Sequence, residues 1–212
     1  MLRSYRALRR IVGFLGVALP IVVAAWGGIA YHSLQNSISE YYALPGPRDI
    51  LVGFLFAIGA FLYAYHGPQR IDDYLSSAAG LLAVGVALCP VTEPGTHDWH
   101  LVFAGALFAI LACFSLFLFT KSGGHPTPRK AKRNRIYRWC GVVMAVCLVA
   151  IGAYQLSGSS ATVLGLPPVL ACETLLLWAF GLSWFVKGDT ILRDEPPTSG
   201  VSRLLSGPVG TH

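Results

Sequence analysis

HDWHLVFAGALFAILACFSLFLFT, residues His97 to Thr120, is the stretch that decides the fold. Four polar or interfacial residues give way at Leu101 to twenty residues without a charge. At 1.5 Å of rise per residue, twenty helical residues reach about 30 Å, the thickness of a bilayer's hydrocarbon core. The run therefore predicts a membrane-spanning helix that opens on two histidines three residues apart.

Similar runs recur on both sides of it. Hydrophobic residues make up 54% of the 212-residue chain and charged residues only 12%, about half the charged share of an ordinary soluble domain. So few charges cannot cover a water-soluble globule of this size. The expected fold class is all-α, a polytopic membrane bundle of six transmembrane helices. Its spans fall at about 11–32, 50–66, 74–91, 99–120, 137–156 and 167–187. The apolar run after Arg10 is longer than a signal peptide's core of about 7–15 residues and has no clear cleavage site, so it reads as a retained first helix. Residues 1–193 form the transmembrane domain, and 194–212, rich in Pro, Gly and Ser, read as a disordered cytoplasmic tail.

Charge placement sets the orientation. With both termini cytoplasmic, fifteen of the sixteen Lys and Arg face inward and only Arg48 faces out, as the positive-inside rule requires. The net charge of +6 thus marks orientation and contact with anionic membrane lipids, and no nucleic-acid partner is expected. The basic segment Lys121–Arg135 reads as a solvated linker between helices four and five. In helix three, Ser76, Gly80, Ala79, Ala83 and Ala87 form a small-residue stripe that admits close helix packing, and helix three is expected at the centre of the bundle. Asp72 or Asp73 suits its cap, and Pro167-Pro168 suits the first turn of helix six. All five cysteines lie within or at the ends of apolar runs, without Cys-x-x-Cys spacing, and read as packing residues. His66 lacks a facing histidine, so a haem is not expected.

Polar chemistry gathers on the outer side. Three of the six histidines (His32, His97, His100) and four of the ten acids (Glu40, Asp49, Glu93, Asp98) fall there. If Thr96 caps helix four, His97 and His100 lie one turn apart on one face. Imidazoles so spaced suit a zinc ion, which in catalytic sites takes three protein ligands and a water. His32 or Glu40 would be the third ligand. Such a zinc lowers the pKa of its water towards 7, with Glu40 or Asp98 to take the proton and Ser39 or Tyr41 to donate to an oxyanion. The alternative makes Asp98 the helix cap, with Trp99 and both histidines as an interfacial belt. Glu173 is the one ionisable residue well inside an apolar span, about 8 Å past Pro168. An intramembrane carboxyl usually faces a cavity or partner and serves function.

Ser37-Ile-Ser-Glu-Tyr-Tyr42, Arg48-Asp49, Val52-Gly-Phe-Leu55 with Gly59 and Phe61-Leu62, then Cys89-Pro90 and His100-Leu101, resemble bacterial multi-pass membrane proteins of unknown function over about residues 30–120. That resemblance implies a bacterial cytoplasmic membrane as the location. In residue types alone, His97, His100 and His32 with Ser39 and Asp98 are similar to the alkaline ceramidase and adiponectin receptor membrane hydrolases. That similarity implies a histidine-bound zinc with Ser and Asp in a helix bundle, although here the histidine pair opens helix four and not the last helix. Three functions remain open. One is a metal-dependent hydrolase of a lipid or amphipathic substrate near the outer face. Another is a transporter or binding protein for a proton, small ligand or lipid that uses Glu173. The third is a structural or accessory subunit.

Overall fold

A computed structural model describes residues 2–91, 93, 95–121, 127–158, 162–163 and 165–188. The expected disordered tail at 194–212, and His125 and His212, lie outside the described residues. Among the described residues six helices run in order: α1 (Leu2–Tyr31), α2 (Pro47–Tyr63), α3 (Arg70–Leu88), α4 (His97–Cys113), α5 (Pro128–Ser157) and α6 (Pro168–Lys187). A 3-10 turn, Ser39–Ala43, precedes α2, and a π-helical turn, Phe114–Leu118, continues α4. No β-strand occurs among the described residues, only an isolated bridge between Val163 and Leu166. Five of the helices, α1 and α3 to α6, are long and apolar enough to cross a membrane, counting α4 with its π-helical turn, as expected of an integral membrane protein. The remaining one, α2, has 17 residues and reaches about 26 Å.

Helix ends follow local chemistry, with two differences from expectation. Gln69, not Asp72 or Asp73, caps α3, and Asp72 returns a bond to the Gln69 amide in a reciprocal capping box. A carboxylate three residues into the helix suits that role as well as a cap does. The basic segment expected as a linker through Arg135 is helical from Pro128 onward. Thr127 accepts a bond from the Lys130 amide at 3.2 Å, and Pro128 takes the first helical position, where its missing N–H costs nothing. Thus α5 starts about two turns before its apolar stretch.

Neighbouring helices pack side by side in chain order, and α6 closes on α1 to complete a ring. Helix α3 was expected at the centre, yet it packs against α2 on one side and α4 on the other, like any other member of the ring. Its small residues bring two neighbours close and do not surround it. A Cβ on Gly80 would lie 2.7 Å from the Gly59 carbonyl oxygen, and one on Gly59 would lie 2.9 Å from that of Gly80. Such backbone contact is how helices gain packing energy where lipid removes the hydrophobic drive. Below it, the Ser76 hydroxyl donates to the Leu62 carbonyl.

The half of the ring nearest the end of α6, expected to face inward, is filled by aromatic side chains. Trp184, fully buried, meets Tyr65, Phe114, Phe119 and Phe180 with ring centroids 5.0 to 6.2 Å apart, a range typical of favourable edge contacts. At the inner rim Arg9 lies over Tyr65 and Lys187 over Phe119. Arg10 donates to the Gly188 carbonyl at the end of α6. The opposite half, expected to face outward, is occupied by the loop between α1 and α2, and there the polar residues meet.

Candidate functional site at the outer mouth

His32 ends α1 in a left-handed conformation, φ 51°, which few residues other than glycine adopt. The chain then turns into the mouth of the ring and buries Ser37, Ile38, Tyr41 and Tyr42. Several bonds hold it there. The Leu170 amide donates to the Asn36 carbonyl at 2.9 Å. Glu40 accepts from both the backbone and side-chain nitrogens of Asn36, each at 3.0 Å, while the Glu40 amide donates to the Ser37 hydroxyl. This nearly reproduces a Ser-x-x-Glu capping box. The Glu40 carboxylate is therefore engaged within its own loop.

Glu173 anchors the same loop from α6. Its Oε2 accepts from the Ile38 amide at 2.5 Å, and its Oε1 lies 3.4 Å from the Ser39 hydroxyl. The costly intramembrane carboxyl thus faces the inside of the ring and meets backbone there. Ile38 is buried, so its amide has no water to replace Glu173. Glu173→Ala is expected to destabilise the protein by about 1–3 kcal/mol, the cost of a buried donor left unpaired. Glu173→Gln, which keeps one oxygen, should lose less. Thermal unfolding in detergent measures both, and an unchanged midpoint for the alanine variant would refute the anchoring role.

Ser39 also faces His100, with Oγ 3.0 Å from Nε2. The other ring nitrogen, Nδ1, lies 2.7 Å from the Cys89 carbonyl. A carbonyl only accepts, so Nδ1 carries a proton, and in the neutral imidazole the lone pair lies at Nε2, towards Ser39. Ser39 has one proton and two acceptors. They are His100 Nε2 at 3.0 Å and Glu173 Oε1 at 3.4 Å. Tyr42 braces the ring edge-on, centroids 5.9 Å apart. Its hydroxyl reaches the Val86 and Ala87 carbonyls at the end of α3, at 2.8 and 2.9 Å. Burial pushes the Tyr42 hydroxyl far above its ordinary range, so it stays a donor.

The structure thus brings Ser39, His100 and Glu173 together and leaves the other expected site residues apart. Thr96 does precede α4, so His97 and His100 lie one turn apart, but each turns Nδ1 to a loop carbonyl, His97 to Val91 at 3.0 Å. Asp98 is exposed in the first turn of α4, where it complements the helix dipole. His32 is exposed at the end of α1. Among the described residues no three His, Cys, Asp or Glu stand close enough to share a metal ion. Tyr41 is buried against Gly27 of α1, and burial raises its hydroxyl's pKa.

Two adjoining cavities flank these residues. The outer one, about 320 Å³, is lined by Asn36, Glu40, His97, Tyr154 and Gln155 among others. The inner one, about 360 Å³, has Ser39, His100 and Glu173 at its polar end and apolar residues of α4, α5 and α6 below. The Cys89 carbonyl, Tyr42 and Gln155 are the participants that sequence reasoning missed. A main-chain acceptor leaves no trace in residue identity. The pairing of Tyr42 with α3 depends on the fold, although Tyr42 falls within the quoted Ser37–Tyr42 motif. No protein-family model, no curated protein and no solved structure matches this chain.

Proposed function

We propose that this protein is a membrane-embedded acyl hydrolase, acting near the outer face of the bacterial cytoplasmic membrane on a lipid or other amphipathic ester. All six helices span in this reading, and both termini are cytoplasmic. The observation that carries it is Ser39 Oγ at 3.0 Å from an imidazole whose tautomer is set by the Cys89 carbonyl. That is the relation of nucleophile to general base in serine hydrolases, with a carbonyl in the orienting place usually held by a carboxylate.

In the reaction, Ser39 Oγ attacks the ester carbonyl carbon while its proton passes to His100 Nε2. The imidazolium gives that proton to the departing alcohol oxygen as the C–O bond breaks. A water then yields one proton to His100 as its oxygen attacks the acyl carbon. His100 passes that proton to Ser39 Oγ as the acyl–oxygen bond breaks, and the released acid loses the water's second proton to solvent to become the carboxylate. Glu173 is a positioning residue that holds the Ile38–Ser39 backbone. A carbonyl stabilises imidazolium less than a carboxylate does, which suits an activated ester better than an amide.

This reading replaces zinc-bound hydroxide with a serine nucleophile, because His100 Nε2 is engaged by Ser39 and the described ligand types do not converge in threes. A fluorophosphonate probe is expected to label wild-type protein on Ser39 and from the outer side of sealed right-side-out vesicles. A chelator should leave hydrolysis of long-chain esters within about two-fold, since the serine mechanism has no metal-dependent step. Labelling that persists in Ser39→Ala ends the proposal. So does one zinc per chain that disappears in His97→Ala and His100→Ala, which would select the metal-dependent hydrolase instead.

A further inference from the structure

We infer that the inner cavity is a slot for a single acyl chain that enters sideways from the lipid between α4 and α5, and that its ligand's polar end carries no phosphate. The inference deepens the acyl-hydrolase reading and, for its turnover arm, rests on it. Its first support is shape. From His100 to Phe108 the cavity follows eight residues of α4, about 12 Å at 1.5 Å per residue. Phe108, Leu148 and Leu176 line its far end and Ser39 its near end. A chain lying along it would place its carbonyl carbon beside Ser39.

Glycines supply the second support. Gly105 of α4 and Gly152 of α5 both line the slot, and a Cβ on either would meet nothing within 4 Å. Gly59, Gly80, Gly85 and Gly181 behave differently, for a Cβ there runs into the next helix within 3 Å. Small residues in membrane helices ordinarily let neighbours close up. At positions 105 and 152 they leave room instead. Along α4 itself, before the π-helical turn, contact with α5 is sparse. The seam is tightened towards the inner side, where Leu116 fills the notch at Gly141. A lipid chain therefore finds an opening at the outer half and a floor below it.

Charge decides the polar end. Among the described residues neither cavity is lined by Lys or Arg, whereas Glu40 faces the outer one and Glu173 the inner one. Arg48 is exposed and paired with Asp49 at 3.3 Å. Phosphate recognition calls for Arg, Lys or clustered amides, and the amides of Ile38 and Asn36 already serve Glu173 and Glu40. Carboxylates without cations favour a neutral or amine-bearing headgroup.

The test uses full-length protein in nanodiscs with two probes sharing one long chain, a monoacylglycerol and a lysophosphatidic acid, and para-nitrophenyl esters of graded chain length. Binding is measured on Ser39→Ala protein, so that no turnover intervenes. The monoacylglycerol should bind at least about ten-fold tighter than the lysophosphatidic acid, and Gly105→Leu with Gly152→Leu should weaken it by a similar factor. In otherwise wild-type protein the same pair should lower the ratio of long-chain to short-chain ester turnover about ten-fold, with the alanine pair intermediate. Equal binding of the two probes overturns the headgroup assignment, and an unchanged ratio or binding in the leucine pair overturns the slot. If no ester is turned over yet monoacylglycerol binding falls in the leucine pair, the slot stands and the hydrolase reading fails. Ester turnover that depends on Ser39 but not on chain length leaves the hydrolase standing and removes the slot.

Discussion

Ser39→Ala and His100→Ala are each expected to lower kcat for ester hydrolysis by about three orders of magnitude or more, with KM little changed. A nucleophile and its base act as one unit, so the double variant should be no slower than the worse single one. The two differ in stability. Ser39→Ala leaves the Ile38–Glu173 bond in place but removes the partner of His100 Nε2, and should cost the smaller amount, about 1 kcal/mol. His100→Ala strips the Cys89 carbonyl of its donor at a part-buried site and empties the space of a buried ring, and should cost about 1–3 kcal/mol. Steady-state kinetics with a long-chain ester and thermal unfolding in the same detergent measure both effects. Residual activity above a tenth of wild type in Ser39→Ala would show that another group attacks the substrate.

Gly80→Leu should cost about 3 kcal/mol or more and leave little folded protein in detergent, as expected when a tightly packed interface is overfilled. A Cβ at Gly80 lands 2.7 Å from the Gly59 carbonyl oxygen and 2.8 Å from the Tyr63 amide nitrogen. Both are backbone atoms and neither can rotate aside, so α2 and α3 must separate. Separation also strains the bond from Ser76 to Leu62 one turn away. Gly105→Leu, placed where nothing lies within 4 Å, is the matched control and should retain the wild-type fold. Size-exclusion profiles and thermal midpoints in mild detergent compare the two. Equal midpoints would mean that the α2–α3 contact is not a source of stability.

The helices were readable because each apolar run must satisfy its own backbone in lipid, which leaves the α-helix as the local solution. The basic segment before α5 reads as a loop from its charges, yet it is helical from Pro128. Thr127 and Pro128, an N-cap followed by a first-turn proline, were the overlooked signal. The small-residue stripe of α3 correctly marked close packing but not centrality, since a stripe records proximity without saying how many neighbours share it. At the site, Ser39, Glu40, His97, His100 and Glu173 stood out as polar residues near an apolar boundary. Their sorting did not, because a capping arrangement claims Glu40 while α4 and α6 deliver His100 and Glu173 to Ser39.

The residue order alone determined that helices long enough to cross a bilayer exist, because chain length and side-chain polarity act locally on every segment. Only the tertiary structure decided which polar groups meet. Ser39 and His100 are 61 positions apart, and Ser39 and Glu173 are 134. Their approach depends on the ring closing between α6 and α1 and on the first outer loop folding into its mouth. Contacts of that kind arise from packing between distant segments, and no pattern within either segment records them.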